Sequence, residues 1–154
     1  ALPICIIWYF GHHPVALNYL RENRNFVDQA VQEFLRFFTP LPSMARNYLG
    51  ENETGSAIEK VSVSFISANF DETVFENPLQ ISLTRERIPH LSFGFGPHTC
   101  LGNHVAEIET KVFLNSLLDS NFSWQISDKC KIEYFEGELS IVPKEFNAVF
   151  LSAL

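Results

Sequence analysis

The chain is short of positive charge, of cysteine and of long apolar runs, and each shortage removes a class of function. Eleven lysines and arginines stand against eighteen aspartates and glutamates, a formal net charge of −7. That balance argues against nucleic acid or an anionic membrane surface as a partner. Only three cysteines occur, Cys5, Cys100 and Cys130. An odd number with no Cys-x-x-Cys spacing makes neither a disulfide framework nor a zinc site. A reducing cytoplasm is the simplest setting. The apolar opening, residues 1–10, falls far short of the ~20 residues that cross a bilayer, so no membrane segment is expected. It also lacks the basic start and small-residue cleavage site of a signal peptide.

What is present describes a folded chain. Its 154 residues suffice for one domain with a sizeable core, and 46% of them are hydrophobic. Phenylalanine is abundant, with 15 copies. Residues 1–11 read as the end of a buried helix, apolar on all sides and left with little of the chain to cover it. Gly11-His12-His13-Pro14 interrupts that helix, and Pro14 suits the first turn of the next. That second helix runs to about Glu22 on Val15, Leu17 and Leu20. His12 and His13 lie in a polar turn without a third ligand nearby and read as solvated. Asn25 caps a strongly amphipathic helix over 26–38, with Val27, Val31, Phe34, Leu35 and Phe38 on one face. Glu33 and Arg36 share one side of it. Prolines at Pro40 and Pro42 end it.

Residues 47–56 then read as a polar turn, 61–68 as a strand by their alternation, and 69–85 as an irregular meander. A helix over 101–118 carries Leu101, Val105, Ile108 and Val112 on one face. The tail, 122–154, alternates in short runs around Glu136-Gly137-Glu138 and reads as a β-hairpin and a last strand. The class is α+β, mainly α.

Three of the seven glycines fall in one stretch, Phe93-Gly94-Phe95-Gly96-Pro97-His98-Thr99-Cys100-Leu101-Gly102. Gly94 and Gly96 allow a tight loop with amide N–H groups turned inward, toward the sulfur. Cys100 ends that loop at the start of a helix, where the positive end of the helix dipole suits an anionic ligand. Gly102, one turn into the helix, leaves room for a flat body against the backbone. A single thiolate holding one metal from one side, with a planar cofactor against the loop, is the chemistry of haem held by cysteine.

The pattern Phe-Gly-x-Gly-x-His-x-Cys-x-Gly resembles the haem-binding loop of the cytochrome P-450 superfamily at every fixed position. The resemblance implies haem b (iron protoporphyrin IX) as cofactor, Cys100 as axial iron ligand and His98 on a propionate. Phe93, Gly94, Gly96 and Gly102 complete the cofactor-binding loop. Glu33-Phe34-Leu35-Arg36 resembles the family's Glu-x-x-Arg motif, with Arg85 as its third member in a structural charge cluster. Arg46 corresponds to an arginine that binds the other propionate. Asn69-Phe70-Asp71 follows the family's Asn-Arg-Asp, with Phe70 where its arginine is expected. Glu107 stands where the family often carries an arginine that meets the electron donor.

The likeness covers nearly the whole chain but only the family's C-terminal part. That part comprises the end of the long central helix, the Glu-x-x-Arg helix, a small sheet, the meander, the cysteine loop and the proximal helix. Residues 1–154 are therefore expected to form a single partial domain, the proximal haem-binding half. The implied reaction is monooxygenation of a small organic substrate, with electrons from a ferredoxin or reductase. The family's oxygen-activating acid-threonine pair does not occur in residues 1–14, so no catalytic residue is assigned. The alternative is a truncated, catalytically inactive haem-binding or interaction module.

Overall fold

The computed structural model describes residues 2–49, 58–126, 132–134, 141–143 and 148–151. Five α-helices precede or flank three short antiparallel strand pairs among these residues, one helix more than the four read from the sequence. The additional one is short. The turn at 136–138, most of the polar stretch at 47–56 and Cys130 lie outside the described residues.

Helix α1 (Leu2–His12) is central rather than exposed. Leu2, Cys5, Ile6 and Phe10 are buried, and the helix packs on α3, α5, α2 and strand β3. Only Ile4 among its large apolar side chains is exposed. The expected bare apolar terminus is found only in part: Ile6 is buried, while Ile7, Trp8 and Tyr9 are partly covered. Gly11 does not interrupt the helix but lies inside it. A Cβ there would run into Ile126 Cγ1 and lie 2.9 Å from Trp124 Nε1, so glycine permits close approach of β3 (Ser123–Ile126). Trp124 Nε1 locks the contact by donating to the Ile7 carbonyl at 2.9 Å. His12 and His13 are not merely solvated, since their rings lie on Trp8 and Tyr9.

Helix α2 (Pro14–Glu22) buries Leu17 and Leu20, while Val15 is exposed. At 100° per residue Val15 sits about 200° around the wheel from Leu17, so the two cannot share a face. Helix α3 (Val27–Phe38) buries every apolar position of its periodic face. Its entry differs from expectation. A 3₁₀ turn, Arg24–Phe26, leads in, with Phe26 N donating to the Asn23 carbonyl, so Asn25 sits in the turn and caps nothing.

Strands β1 (Ser43–Leu49) and β2 (Ile58–Ser64) pair antiparallel with Arg46 opposite Val61. The strand stops earlier than the alternation suggested. Ser64 Oγ accepts the Ser67 amide and caps a short helix α4 (Phe65–Asn69), which turns Phe65 inward. No further helix or strand occurs between Asn69 and the cysteine loop.

Helix α5 (Asn103–Asp119) packs through Thr110, Leu114 and Leu118. Leu101, Val105, Ile108 and Val112 are exposed instead. Both stripes recur at i, i+3/i+4 spacing on opposite sides, and periodicity alone cannot choose between two apolar faces. Strand β3 pairs with β6 (Ala148–Leu151), and β4 (Ile132–Tyr134) with β5 (Ile141–Pro143).

Candidate functional site

The cysteine loop is built by backbone bonds that its glycines make possible. Gly94 N donates to the Leu91 carbonyl at 2.9 Å, and Cys100 N to the Phe93 carbonyl at 2.8 Å. A 3₁₀ turn, Gly96–His98, lies between. Thr99 covers its end by donating through both N and Oγ1 to the Gly96 carbonyl. With the Thr99 and Cys100 amides so engaged, no hydrogen bond reaches the sulfur among the described residues, contrary to the inward-amide expectation. Gly102 is the N-cap residue of α5 rather than one turn inside it. A Cβ there would lie 3.8 Å from Cys100 Sγ, an ordinary van der Waals contact.

Gly94 and Gly96 have φ of +72° and +66°. Alanine at either is expected to cost about 1–2 kcal/mol for the left-handed conformation. At Gly94 the cost should be larger, since its Cβ would press on the His98 carbonyl oxygen at 3.2 Å, whereas the space beside Gly96 is open. Urea midpoints of the two variants check that order.

The loop forms one wall of a cleft of about 390 Å³. Phe93, Gly94, His98 and Cys100 face it from the loop, and Ser92 from its base. Pro40 and Leu41 come from the turn after α3, Met44 and Arg46 from β1, and Phe65 from α4. Thus five of the seven predicted cofactor residues line one cleft, while Gly96 and Gly102 do not line it. The Cys100 thiol is exposed, and Cys5 is buried, with its pKa raised to about 11 by desolvation. Arg46 is half-buried and donates to the Ala45 carbonyl at 2.9 Å.

The donor set suits haem. Among the described residues no group of three or more His, Cys, Asp or Glu could hold a bare metal ion. A metal on Cys100 would have to bring its own equatorial donors, as a porphyrin does. The apolar walls suit the macrocycle, with one histidine and one arginine available for carboxylates.

Behind the loop, Glu33 and Arg36 are wholly buried and Arg85 nearly so, with a side-chain exposure of 12%. Arg36 grips Glu33 with two bonds of 2.8 Å, Nε to Oε2 and Nη2 to Oε1. Arg85 Nε donates to Oε2 at 3.0 Å and Ser82 N to Oε1 at 3.0 Å. Arg36 also donates to the carbonyls of Asn69, Pro78 and Gln80, fastening the meander to α3. Phe70, where the resembling family has arginine, lies 5.5 Å from the Arg36 guanidinium and packs on Phe37.

Sequence reasoning passed over His90. Its Nδ1 accepts the Ser92 amide at 3.2 Å, which places the proton on Nε2, 2.9 Å from the Gln32 carboxamide oxygen. Burial, helped by Arg36, pushes its pKa down to about 4 against the opposing charges of Glu107 and Glu33. Between pH about 6.5 and 4 the unfolded chain takes up a proton that the folded chain refuses. Stability should fall there by about 1–3 kcal/mol as pH drops. His90→Gln should remove that part of the slope. Urea midpoints at pH 7 and pH 5 check this; a parent-minus-variant difference that does not shrink on acidification contradicts it.

Residues 18–150 match the family model described as Cytochrome P450. Cytochrome P450-terp of a Pseudomonas species is 35% identical over 121 residues, 76% of this chain and 28% of that protein. Nocardicin C N-oxygenase of Nocardia uniformis is 40% identical over 121 residues, 74% of this chain and 30% of that protein. The substrate-free structure of Mycobacterium marinum cytochrome P450 CYP150A6 superposes with a TM-score of 0.84 at 26% identity, over 97% of this chain and 40% of that one. The chain thus spans about three tenths of the length of these curated relatives. On the family match, the shared fold and the sequence identity together, the chain belongs to the cytochrome P450 family.

Proposed function

We propose that the 154 residues form a single partial domain, the haem-binding part of a cytosolic haem-thiolate monooxygenase, with haem b in the cleft beside the cysteine loop. The observation that carries this reading is the convergence of Cys100, His98, Arg46, Phe93 and Gly94 on one apolar cleft. Cys100 would be the residue that holds the iron through its sulfur. Gly96, with its left-handed turn, and Gly102, at the start of α5, would complete the loop that holds the cofactor. When bound, haem supplies the iron at which dioxygen is activated, and thiolate donation favours O–O cleavage.

The remaining work belongs to the chain's own side chains. Arg46 binds one propionate through its guanidinium fork, and His98 donates a ring N–H to the other. Phe93, Met44 and Phe65, which line the cleft, would help keep water from the bound cofactor. Glu33, Arg36 and Arg85 hold the meander in place so that the loop keeps its shape. The substrate is a small organic molecule and the electron donor a ferredoxin or reductase. Among the described residues no helix is long and apolar enough to cross a membrane.

Titration with haem, followed by absorbance, tests the cleft assignment. The parent should take up one haem per chain saturably. Arg46→Ala and His98→Ala should each bind about tenfold or more weakly, the worth of a charge-assisted hydrogen bond. Parent-like affinity in both variants would place the propionates elsewhere.

A further inference from the structure

We propose that Asn69 is a positioning residue for the cysteine loop: its buried carboxamide sets the register from which Cys100 projects. The side chain is fully buried at the C-terminal end of α4, outside the cleft. Its Oδ1 accepts the Leu91 amide at 2.7 Å. Its Nδ2 donates to Ser92 Oγ and Thr39 Oγ1, both at 2.9 Å, with the Arg36 carbonyl farther off at 3.4 Å. The carboxamide is therefore satisfied on both ends, as its burial requires.

The two residues it grips are those from which the loop is built. Leu91 offers its carbonyl to Gly94 N, and Ser92 is followed by Phe93, whose carbonyl accepts Cys100 N. Ser92 Oγ in turn donates to the Leu35 carbonyl at 2.7 Å, tying the loop to the last turn of α3. A displacement at Leu91–Ser92 thus reaches the cysteine through two hydrogen bonds and no flexible side chain.

A second observation points the same way. Thr39, at the end of α3, is held at φ +36° and ψ +72°, an uncommon conformation for a β-branched residue. Its hydroxyl donates to the Arg36 carbonyl at 2.6 Å and accepts from Asn69. The strained turn that delivers Pro40 and Leu41 to the cleft is pinned by the same carboxamide that pins the loop. Strain of this kind persists only where the surroundings over-determine it. Asn69 therefore joins the two walls of the cleft.

Haem-free chain and amide hydrogen exchange test the proposal directly. Asn69→Ala should speed exchange at Leu91, Gly94 and Cys100 by about tenfold or more, the scale of one lost hydrogen bond. The Leu114 and Leu118 amides of α5 should not change. Should Asn69→Ala fail to fold, Ser92→Ala decides, because it removes the bond from Asn69 Nδ2 to Ser92 Oγ while leaving the Leu91 and Thr39 bonds intact, and is expected to speed exchange at Gly94 and Cys100 but not at Leu91. Unchanged exchange at the three amides, or faster exchange throughout the chain, would overturn the proposal. Its consequence for haem rests on Cys100 being the ligand. In the haem-loaded ferric protein, the fraction of low-spin thiolate signal in electron paramagnetic resonance should fall in either variant. A parent-like fraction despite faster exchange would refute control of ligation by Asn69. If instead Cys100→Ala keeps the parent signal, the ligand assignment fails and the exchange result stands.

Discussion

Glu33→Ala is expected to lower stability by about 3–5 kcal/mol, the cost of stranding a buried charge. The carboxylate is wholly buried and both of its oxygens are used twice, by Arg36 and Arg85 on one and by Arg36 and the Ser82 amide on the other. Alanine would leave the Arg36 guanidinium, itself wholly buried, with carbonyl partners only. Those carbonyls accept only from Nη1 and Nη2, leaving Nε–H without its partner, and they do not neutralise the charge. A domain's whole stability is about 5–15 kcal/mol, so the variant should accumulate poorly as soluble protein. Arg85→Ala should cost less, since that side chain reaches solvent and its loss leaves Glu33 paired with Arg36. Urea midpoints give the comparison. Equal midpoints for parent and Glu33→Ala would reduce the cluster to an ion pair of no consequence for the fold.

Legibility differed along the chain for physical reasons. The face of α3 could be read because its apolar residues recur on one side and polar residues fill the other; all of Val27, Val31, Phe34, Leu35 and Phe38 are buried. Helix α5 could not, because it is apolar on two opposite sides and only packing partners distant in sequence choose between them. The start of α4 was hidden in the side-chain cap of Ser64, a local bond that overrides the alternation of residues 61–68. Gly11 looked like an interruption because close approach of β3, more than a hundred residues later, leaves no local trace.

The cysteine loop was the most legible part of the site. Left-handed glycines and a cysteine at a helix start are local requirements, and they appear in the sequence as fixed spacings. The layer beneath it was not. Asn69, Ser92 and His90 act through bonds to residues more than twenty positions away, or to backbone groups whose placement only the fold determines. Asn69 stood within a recognisable Asn-x-Asp pattern, but its role became visible only with its partners.

The second large effect concerns Cys100. Its exposed thiol lies in an apolar cleft, and no cluster of metal ligands accompanies it among the described residues. Removing it should remove the whole of thiolate ligation, since the only other sulfur lining the cleft is the Met44 thioether, which cannot form a thiolate. His98 and Met44 also line the cleft, so Cys100→Ala could retain haem only through nitrogen, thioether sulfur or water, each with a different ligand field. The cysteine variant should fold as the parent does, because the loop is held by backbone bonds from Cys100 N and from Gly94 N rather than by the sulfur. Electron paramagnetic resonance of the ferric, haem-loaded chain is the most direct measurement. The parent should show the low-spin signal of cysteine-thiolate iron, and Cys100→Ala should show none of it at parent-like urea stability; the same thiolate signal in both proteins would contradict the assignment of Cys100 as the iron's ligand.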